Sequence, residues 1–265
     1  MTLTAGYENA VRRKLAAGDL VLCMGLRQAR TVDIAMIAAA SGFDAIYVDM
    51  EHSPVSLETT SMLCAASIGV GVTPLVRVPS LDAHWISRVL DGGAQGVIVP
   101  HVGTPAQAEA IVSAARFPPV GHRSVMGVTP ALGYHALPLG EINERLNGDT
   151  LVIAMLETPE GVANAQAIAA VRGIDMLLIG SNDLCTEMGF PGQLNHPSLR
   201  DAYRATATAC RTHGKVLGIG GIRGDIALQT DLVRMGARFM IAGSDVVLLL
   251  AAAKKDVAAL REIAL

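Results

Sequence analysis

Aromatic side chains are scarce, making up 3% of the 265 residues. So few rings cannot build the stacking platforms on which single-stranded nucleic acids are bound. Basic charge is also short, with 21 Lys and Arg against 24 Asp and Glu and a net charge of −3. That balance excludes the electrostatic footprint of a nucleic-acid-binding surface. No apolar stretch reaches the roughly 18 residues of a membrane span. The longest, Val246 to Ala253, stops at Lys254-Lys255. Arg12-Arg13-Lys14 is followed by Asp19 before any signal-peptide core develops. The four cysteines, Cys23, Cys64, Cys185 and Cys210, form no C-x-x-C pair and no metal-finger spacing. They read as reduced, mostly buried thiols of a cytoplasmic protein.

Other absences narrow the chemistry. Only four lysines occur: Lys14, Lys215, Lys254 and Lys255. None follows a strand-like run, so none is expected where a Schiff-base nucleophile would stand. No G-x-S-x-G elbow is present, which argues against a serine hydrolase. The first strand-like run leads into Gly25-Leu26-Arg27-Gln28, not into the G-x-G-x-x-G of a dinucleotide fold.

What the chain has in abundance is apolar residues, 51% of the total. They fall into eight strand-like runs, near 20–24, 45–50, 73–78, 96–101, 151–157, 175–180, 215–220 and 238–243. Continuous runs of this length suit parallel strands buried on both faces. Alanine-rich stretches of helical spacing separate most of them, for example 31–41, 56–69, 105–115, 159–171, 198–213 and 224–236. Strict alternation at this length predicts one (β/α)8 TIM barrel spanning 1–265. Segment 116–150, with prolines at 118, 119, 130 and 138, reads as a long excursion after the fourth strand.

In such barrels the chemistry gathers where the strands end. The second strand runs into Asp49-Met50-Glu51-His52 and the third ends with Arg77. The fifth ends at Glu157, and the sixth leads through Ser181 and Asn182 to Asp183. Two carboxylates on neighbouring strand ends suit a hard divalent cation. Taken singly, each residue has a plainer reading. His52 would be a structural histidine, Arg77 an ion-pair partner of Asp49, and Glu157 and Asp183 caps of the helices that follow. His101 and His122 are further candidates for the pocket. The glycines of 218–224 read as close packing near it, with an anion site as the alternative.

These residues carry a resemblance. Tyr47-Val48-Asp49-Met50-Glu51-His52-Ser53, Pro74-Leu75-Val76-Arg77-Val78 and Leu90-Asp91-Gly92-Gly93-Ala94-Gln95-Gly96 are three of its pieces. Pro118-Pro119-Val120-Gly121-His122-Arg123-Ser124, Leu156-Glu157-Thr158 and Ile179-Gly180-Ser181-Asn182-Asp183-Leu184 complete it. In this order, from about residue 20 to 255, the chain resembles the HpcH/HpaI aldolase family, metal-dependent class II pyruvate aldolases. The resemblance implies reversible cleavage of a 4-hydroxy-2-oxo acid to pyruvate and an aldehyde. It implies Glu157 and Asp183 as ligands of Mg2+ or Mn2+, with Co2+ as a further candidate. His52 and Asp49 would be the acid/base pair, and Arg77 would polarise the ketone oxygen. Ser181, Asn182 and Arg123 would touch substrate, Glu51 and Met155 would stand behind the metal site, and Asp91 would reach a neighbouring subunit.

It also implies a homohexamer, a trimer of dimers, with the last helix exchanged between subunits. The chain departs from the family pattern at Met155, where the family has Gln, and at Ser124, where it has Gly. Segment 125–138 lacks the family's basic and aromatic pattern. These departures leave the aldehyde open, and with it three sibling readings. They are a citramalyl- or malyl-CoA lyase, a 2-oxo acid decarboxylase and a non-catalytic 2-oxo acid-binding barrel.

Overall fold

The structure is a computed structural model and describes residues 8–263. Eight parallel strands close in sequence order. They are β1 (Val21–Leu26), β2 (Ala45–Asp49), β3 (Thr73–Arg77), β4 (Gly96–Val99), β5 (Leu151–Leu156), β6 (Met176–Gly180), β7 (Val216–Gly220) and β8 (Ala237–Ser244). The expected (β/α)8 barrel is what the chain forms.

Around it lie α1 (Ala10–Ala16), α2 (Asp33–Ala40), α3 (Leu57–Gly69), α4 (Ala83–Asp91), α5 (Pro105–Ala115) and α6 (Leu139–Asp149). The ring continues with α7 (Pro159–Ala163), α8 (Ala165–Ala170), α9 (Ser181–Glu187), α10 (Pro197–Thr212), α11 (Ile226–Met235) and α12 (Asp245–Arg261). The stretch expected as one helix over 159–171 is two, broken at Asn164, whose side chain donates to the Gly103 carbonyl. None of the described helices is long and apolar enough to cross a membrane.

Strand side chains alternate between the barrel interior and the helix layer, because successive Cβ atoms point to opposite faces. Ala45, Tyr47, Leu75, Ile98, Leu151, Ile153, Met155, Met176, Leu178 and Phe239 fill the interior. Ile46, Val48, Val76, Val97, Val152, Leu177 and Ile179 pack under the helices. Continuing the same parity one step beyond the interior set gives Arg27, Asp49, Arg77 and Glu157 on β1, β2, β3 and β5. On β6, β7 and β8 the corresponding places are Gly180, Gly220 and Gly243. The mouth is therefore charged on one side and hollow on the other.

The 116–150 excursion is more ordered than its prolines suggest. Thr129 precedes a single 3-10 turn at Pro130–Leu132, and α6 follows. Ile142 and Leu146 of α6 pack with Phe117, Ala131 and Leu132 in a small core of their own.

Candidate active site

Asp49 and Arg77 are register partners on β2 and β3. Arg77 donates from Nε to Asp49 Oδ1 at 3.0 Å and from Nη2 to Oδ2 at 2.7 Å. A fork-to-fork pair of this kind fixes both groups in one plane. Arg27 Nε adds a third contact to Asp49 Oδ2 at 2.9 Å. Burial opposes ionisation of Asp49, but the Arg77 hydrogen bond and charge outweigh it and hold the carboxyl below its usual range. Tyr47 lies beneath, its ring 5.7 Å from the Arg77 guanidinium carbon. That ring needs Gly25, because a Cβ there would come within 2.8 Å of it.

Asp49 meets His52 only through the backbone, accepting its N–H at 3.1 Å. The expected Asp49–imidazole pair is therefore not what this chain forms. Both Asp49 oxygens are occupied by arginines and by the turn, and the imidazole stands apart. His52 is half exposed, with Nε2 3.8 Å from Glu51 Oε2. Glu51 Oε2 also lies 3.0 Å from Arg77 Nη1, within ion-pair range but outside hydrogen-bond geometry.

Glu157, at the tip of β5, is 1% exposed. It does not cap the next helix, because Thr158 does so by accepting from Gly161 N–H. Its Oε2 accepts the His101 backbone N–H at 3.0 Å, and His101 Nδ1 is 3.3 Å from the same oxygen. His101 Nε2 lies 3.0 Å from Glu51 Oε1, so one imidazole spans two carboxylates. This placement needs a left-handed backbone at His101, with φ of 55°. Such a conformation costs a non-glycine residue about 1–2 kcal/mol. Burial pushes the Glu157 carboxyl up to about 7, with Glu51 and Asp183 raising it further and His101 opposing. Gly180 is required beside it, since a Cβ there would come within 2.5 Å of Glu157 Oε1 and 2.8 Å of Met155 Cε. Met155 is thus packing under the carboxylate.

Asp183 sits exposed in the first turn of α9, within electrostatic reach of Glu157. A buried carboxylate raised by its acidic neighbours is short of positive charge, and an all-oxygen donor set suits a hard dication. The residues fit such an ion. Below about pH 7 Glu157 keeps a proton that a cation must displace, so affinity should fall about tenfold per pH unit on the acid side. Above that pH the dependence should flatten. Calorimetric titration with Mn2+ from about pH 5.5 to about pH 8.5 reads this directly, and a flat profile would contradict the raised carboxyl.

The remaining expected site residues fall elsewhere. Ser181 is fully buried, with its hydroxyl turned toward Tyr203 of α10, so only its backbone is available to the mouth. Asn182 is exposed at the start of α9, its side chain against Gly221. Arg123 is buried, stacked 4.8 Å over Phe117 and paired with Asp91 at 2.7 Å. Asp91 ends α4 just before β4 begins, which puts this pair at the amino end of the barrel. Within one chain it is therefore remote from Glu157. Sequence reasoning left two residues out of the site: Arg27 and, beyond a mention, His101. Arg27 directly follows β1 and His101 stands two residues beyond the end of β4, and that position was the available signal.

This arrangement can bind a small anion beside a cation, polarise its carbonyl and move a proton. The model of the HpcH/HpaI aldolase/citrate lyase family matches residues 26–252. The chain belongs to that family. It is 40% identical over 248 residues to a 4-hydroxy-4-methyl-2-oxoglutarate aldolase of Chaetomium globosum, covering 92% of each chain. It is 36% identical over 226 residues to a hydroxypyruvate/pyruvate aldolase of Sagittula stellata, covering 84% of this chain and 87% of the relative. Among solved structures, an HpcH/HpaI aldolase from Desulfitobacterium hafniense superposes with a TM-score of 0.91 at 29% identity, covering 96% of this chain and 97% of that one. The family members compared thus span nearly the same length as this chain.

Proposed function

We propose that this chain is a divalent-metal-dependent pyruvate aldolase, a carbon–carbon lyase that reversibly cleaves a 4-hydroxy-2-oxo acid to pyruvate and an aldehyde or related carbonyl compound. The observation that carries the reading is the buried Glu157 carboxylate. It lies within electrostatic reach of Glu51 and, across the end of β6, of Asp183, and the Arg77 guanidinium is held beside Glu51. Similarity to curated aldolases over nine-tenths of the chain supports it.

Glu157 and Asp183 would hold Mg2+, Mn2+ or Co2+, all accommodated by carboxylate oxygens. When bound, the cation supplies Lewis-acid polarisation of the 2-oxo acid. Arg77 has its Nε and Nη2 committed to Asp49, which leaves its Nη1 side facing Glu51 and the substrate. There it stabilises the negative charge that develops on the 2-keto oxygen as the C3–C4 bond breaks. His52 takes the 4-hydroxyl proton, the C3–C4 electron pair becomes that of the pyruvate enolate, and a proton returned to C3 completes pyruvate. Glu51 lies near enough to hold the imidazole toward the substrate, a part the sequence assigned to Asp49. The test is pyruvate release from racemic 4-hydroxy-2-oxo acids. Release should vanish on chelation and return on addition of Mg2+ or Mn2+. Undiminished release after exhaustive chelation would overturn the reading.

Assembly into a homo-oligomer, by the hexameric pattern of a trimer of dimers, is part of the same proposal. No residue of α12 is buried in the single chain, and Leu249 and Leu260 are 71% and 66% exposed. An apolar helix left open in this way is a contact surface. Leu249→Glu with Leu260→Glu should shift the sedimenting species to smaller assemblies. An unchanged sedimentation coefficient would exclude α12 from the interface.

A further inference from the structure

The Glu51 side chain is 10% exposed, and its Oε2 faces Arg77 Nη1 at 3.0 Å and His52 Nε2 at 3.8 Å. That oxygen is buried without a hydrogen-bond partner among the described residues. A buried carboxylate left half unpaired is costly, so its orientation depends on what holds the other oxygen. Oε1 is held by His101, whose Nε2 lies 3.0 Å away. An ionised carboxylate accepts and cannot donate, so the ring proton sits on Nε2 and is donated to Glu51. The other donors close by are spent. Arg77 gives Nε and Nη2 to Asp49, and Arg27 gives Nε to the same group. Met155, the inward residue below Glu157, carries a thioether and donates nothing.

His101 takes this place against its own backbone preference. Its φ of 55° is left-handed, and its side chain is more than half exposed, so packing does not account for the conformation. Turned in this way, the residue serves two acids in two directions. Its backbone N–H donates to Glu157 Oε2 at 3.0 Å, while its ring reaches Glu51 Oε1. An unfavourable backbone persists where the surroundings fix it, and such places cluster at functional sites. The two contacts are separable, because the backbone N–H remains whatever side chain stands at position 101.

We propose that His101 is a positioning residue of the acid/base half of the site. Its Nε2–H holds Glu51 in the orientation from which Glu51 steadies the His52 imidazole against the 4-hydroxyl of the substrate. The inference deepens the pyruvate-aldolase reading above and rests on it. His101 exchanges no proton with substrate. In cleavage the 4-hydroxyl proton passes to His52 and the C3–C4 electron pair becomes that of the enolate, while His101 fixes where the accepting ring stands. A base displaced by about 1 Å loses much of its effect, so a group two contacts away can govern the rate.

The experiment compares His101→Gly, His101→Asn and His101→Gln with the native enzyme. Gly and Asn tolerate the left-handed backbone best. The Gln amide nitrogen reaches the place of Nε2, whereas the Asn amide stops at the place of Nδ1. With Gly or Asn, kcat for cleavage of a 4-hydroxy-2-oxo acid should fall by about ten- to a hundredfold with KM little changed. His101→Gln should recover most of that loss. Oxaloacetate decarboxylation, which takes no proton from a hydroxyl, should fall far less. Calorimetric Mn2+ affinity, measured without substrate, should stay close to native in all three, since the bond to Glu157 persists. A role confined to the backbone would give the opposite order, with Gln the most impaired. That order, equal losses in both reactions and in Mn2+ affinity, or no loss in any variant would overturn the role of His101, and the aldolase reading would stand on the native enzyme's own cleavage. If the native enzyme with Mn2+ releases no pyruvate, the aldolase reading fails and this inference with it.

Discussion

Glu157→Gln should abolish both cation binding and pyruvate formation while the barrel remains folded. The substitution replaces an anionic oxygen ligand by a neutral amide of the same shape, in a site assembled around a dication. Folding should not suffer, because the native carboxyl is itself unfavourable where it stands. It is buried, pushed up to about 7 and crowded by Glu51 and Asp183. An amide still accepts the His101 backbone N–H through its oxygen. The metal-free variant should therefore melt no lower than the metal-free native protein above pH 7, where the native group is forced to ionise. Asp183→Asn should lose metal in the same way with little change in melting temperature, since Asp183 is exposed. Calorimetric Mn2+ titration and thermal melts with and without metal separate the two effects. A Glu157→Gln enzyme with native affinity for Mn2+ would remove Glu157 from the ligand set.

His52→Ala should lower aldol cleavage by about 10²–10⁴-fold, the range for loss of a general acid or base. The imidazole is half exposed, and the turn that carries it is held by other groups. The His52 N–H donates to Asp49, and the Ser53 hydroxyl donates to the Asp49 carbonyl. Both bonds survive removal of the ring, so the lost activity should come without lost stability. Oxaloacetate decarboxylation should survive better, because it needs a stabilised enolate but no proton taken from a hydroxyl. Equal losses in the two reactions would show that His52 organises the site and does not transfer the proton. The contrasting substitution is Asp49→Asn, which leaves Arg77 buried without its fixed partner. Breaking a buried pair from one side costs roughly 3–5 kcal/mol, so there activity and stability should fall together.

Most of the barrel was legible because its signals are local. β5 and β6 are uninterrupted apolar runs, β2 and β3 are short apolar stretches that end on Asp49 and Arg77, and the strands follow the expected ones within a few residues. Period-two alternation also carries Asp49, Arg77 and Glu157 onto the inward face, without reference to any partner strand. α6 was less legible. Its buried residues are few, and what they pack against, Phe117 and Leu132, comes from a proline-rich stretch that shows no period.

The sequence by itself determined the repeating unit, the inward parity of the charged residues and the glycines that hollow out the mouth. These are properties of one strand and the turn after it. Only the tertiary structure decided which charges meet, because each pairing depends on register and curvature between segments far apart in the chain. Arg77 lies opposite Asp49 through the β2–β3 register and so claims the carboxylate that the sequence assigned to His52. His101 reaches Glu157 and Glu51 through a left-handed backbone that no residue pattern announces. Arg123 and Asp91 find each other at the amino end because α4 and the 116–123 segment both finish there. Closure of β8 onto β1 brings Arg223 and Ser244 to Arg27, from opposite ends of the chain. Helical and strand periods fix the direction in which a side chain points. What it meets is set by barrel closure, a property of all eight strands together.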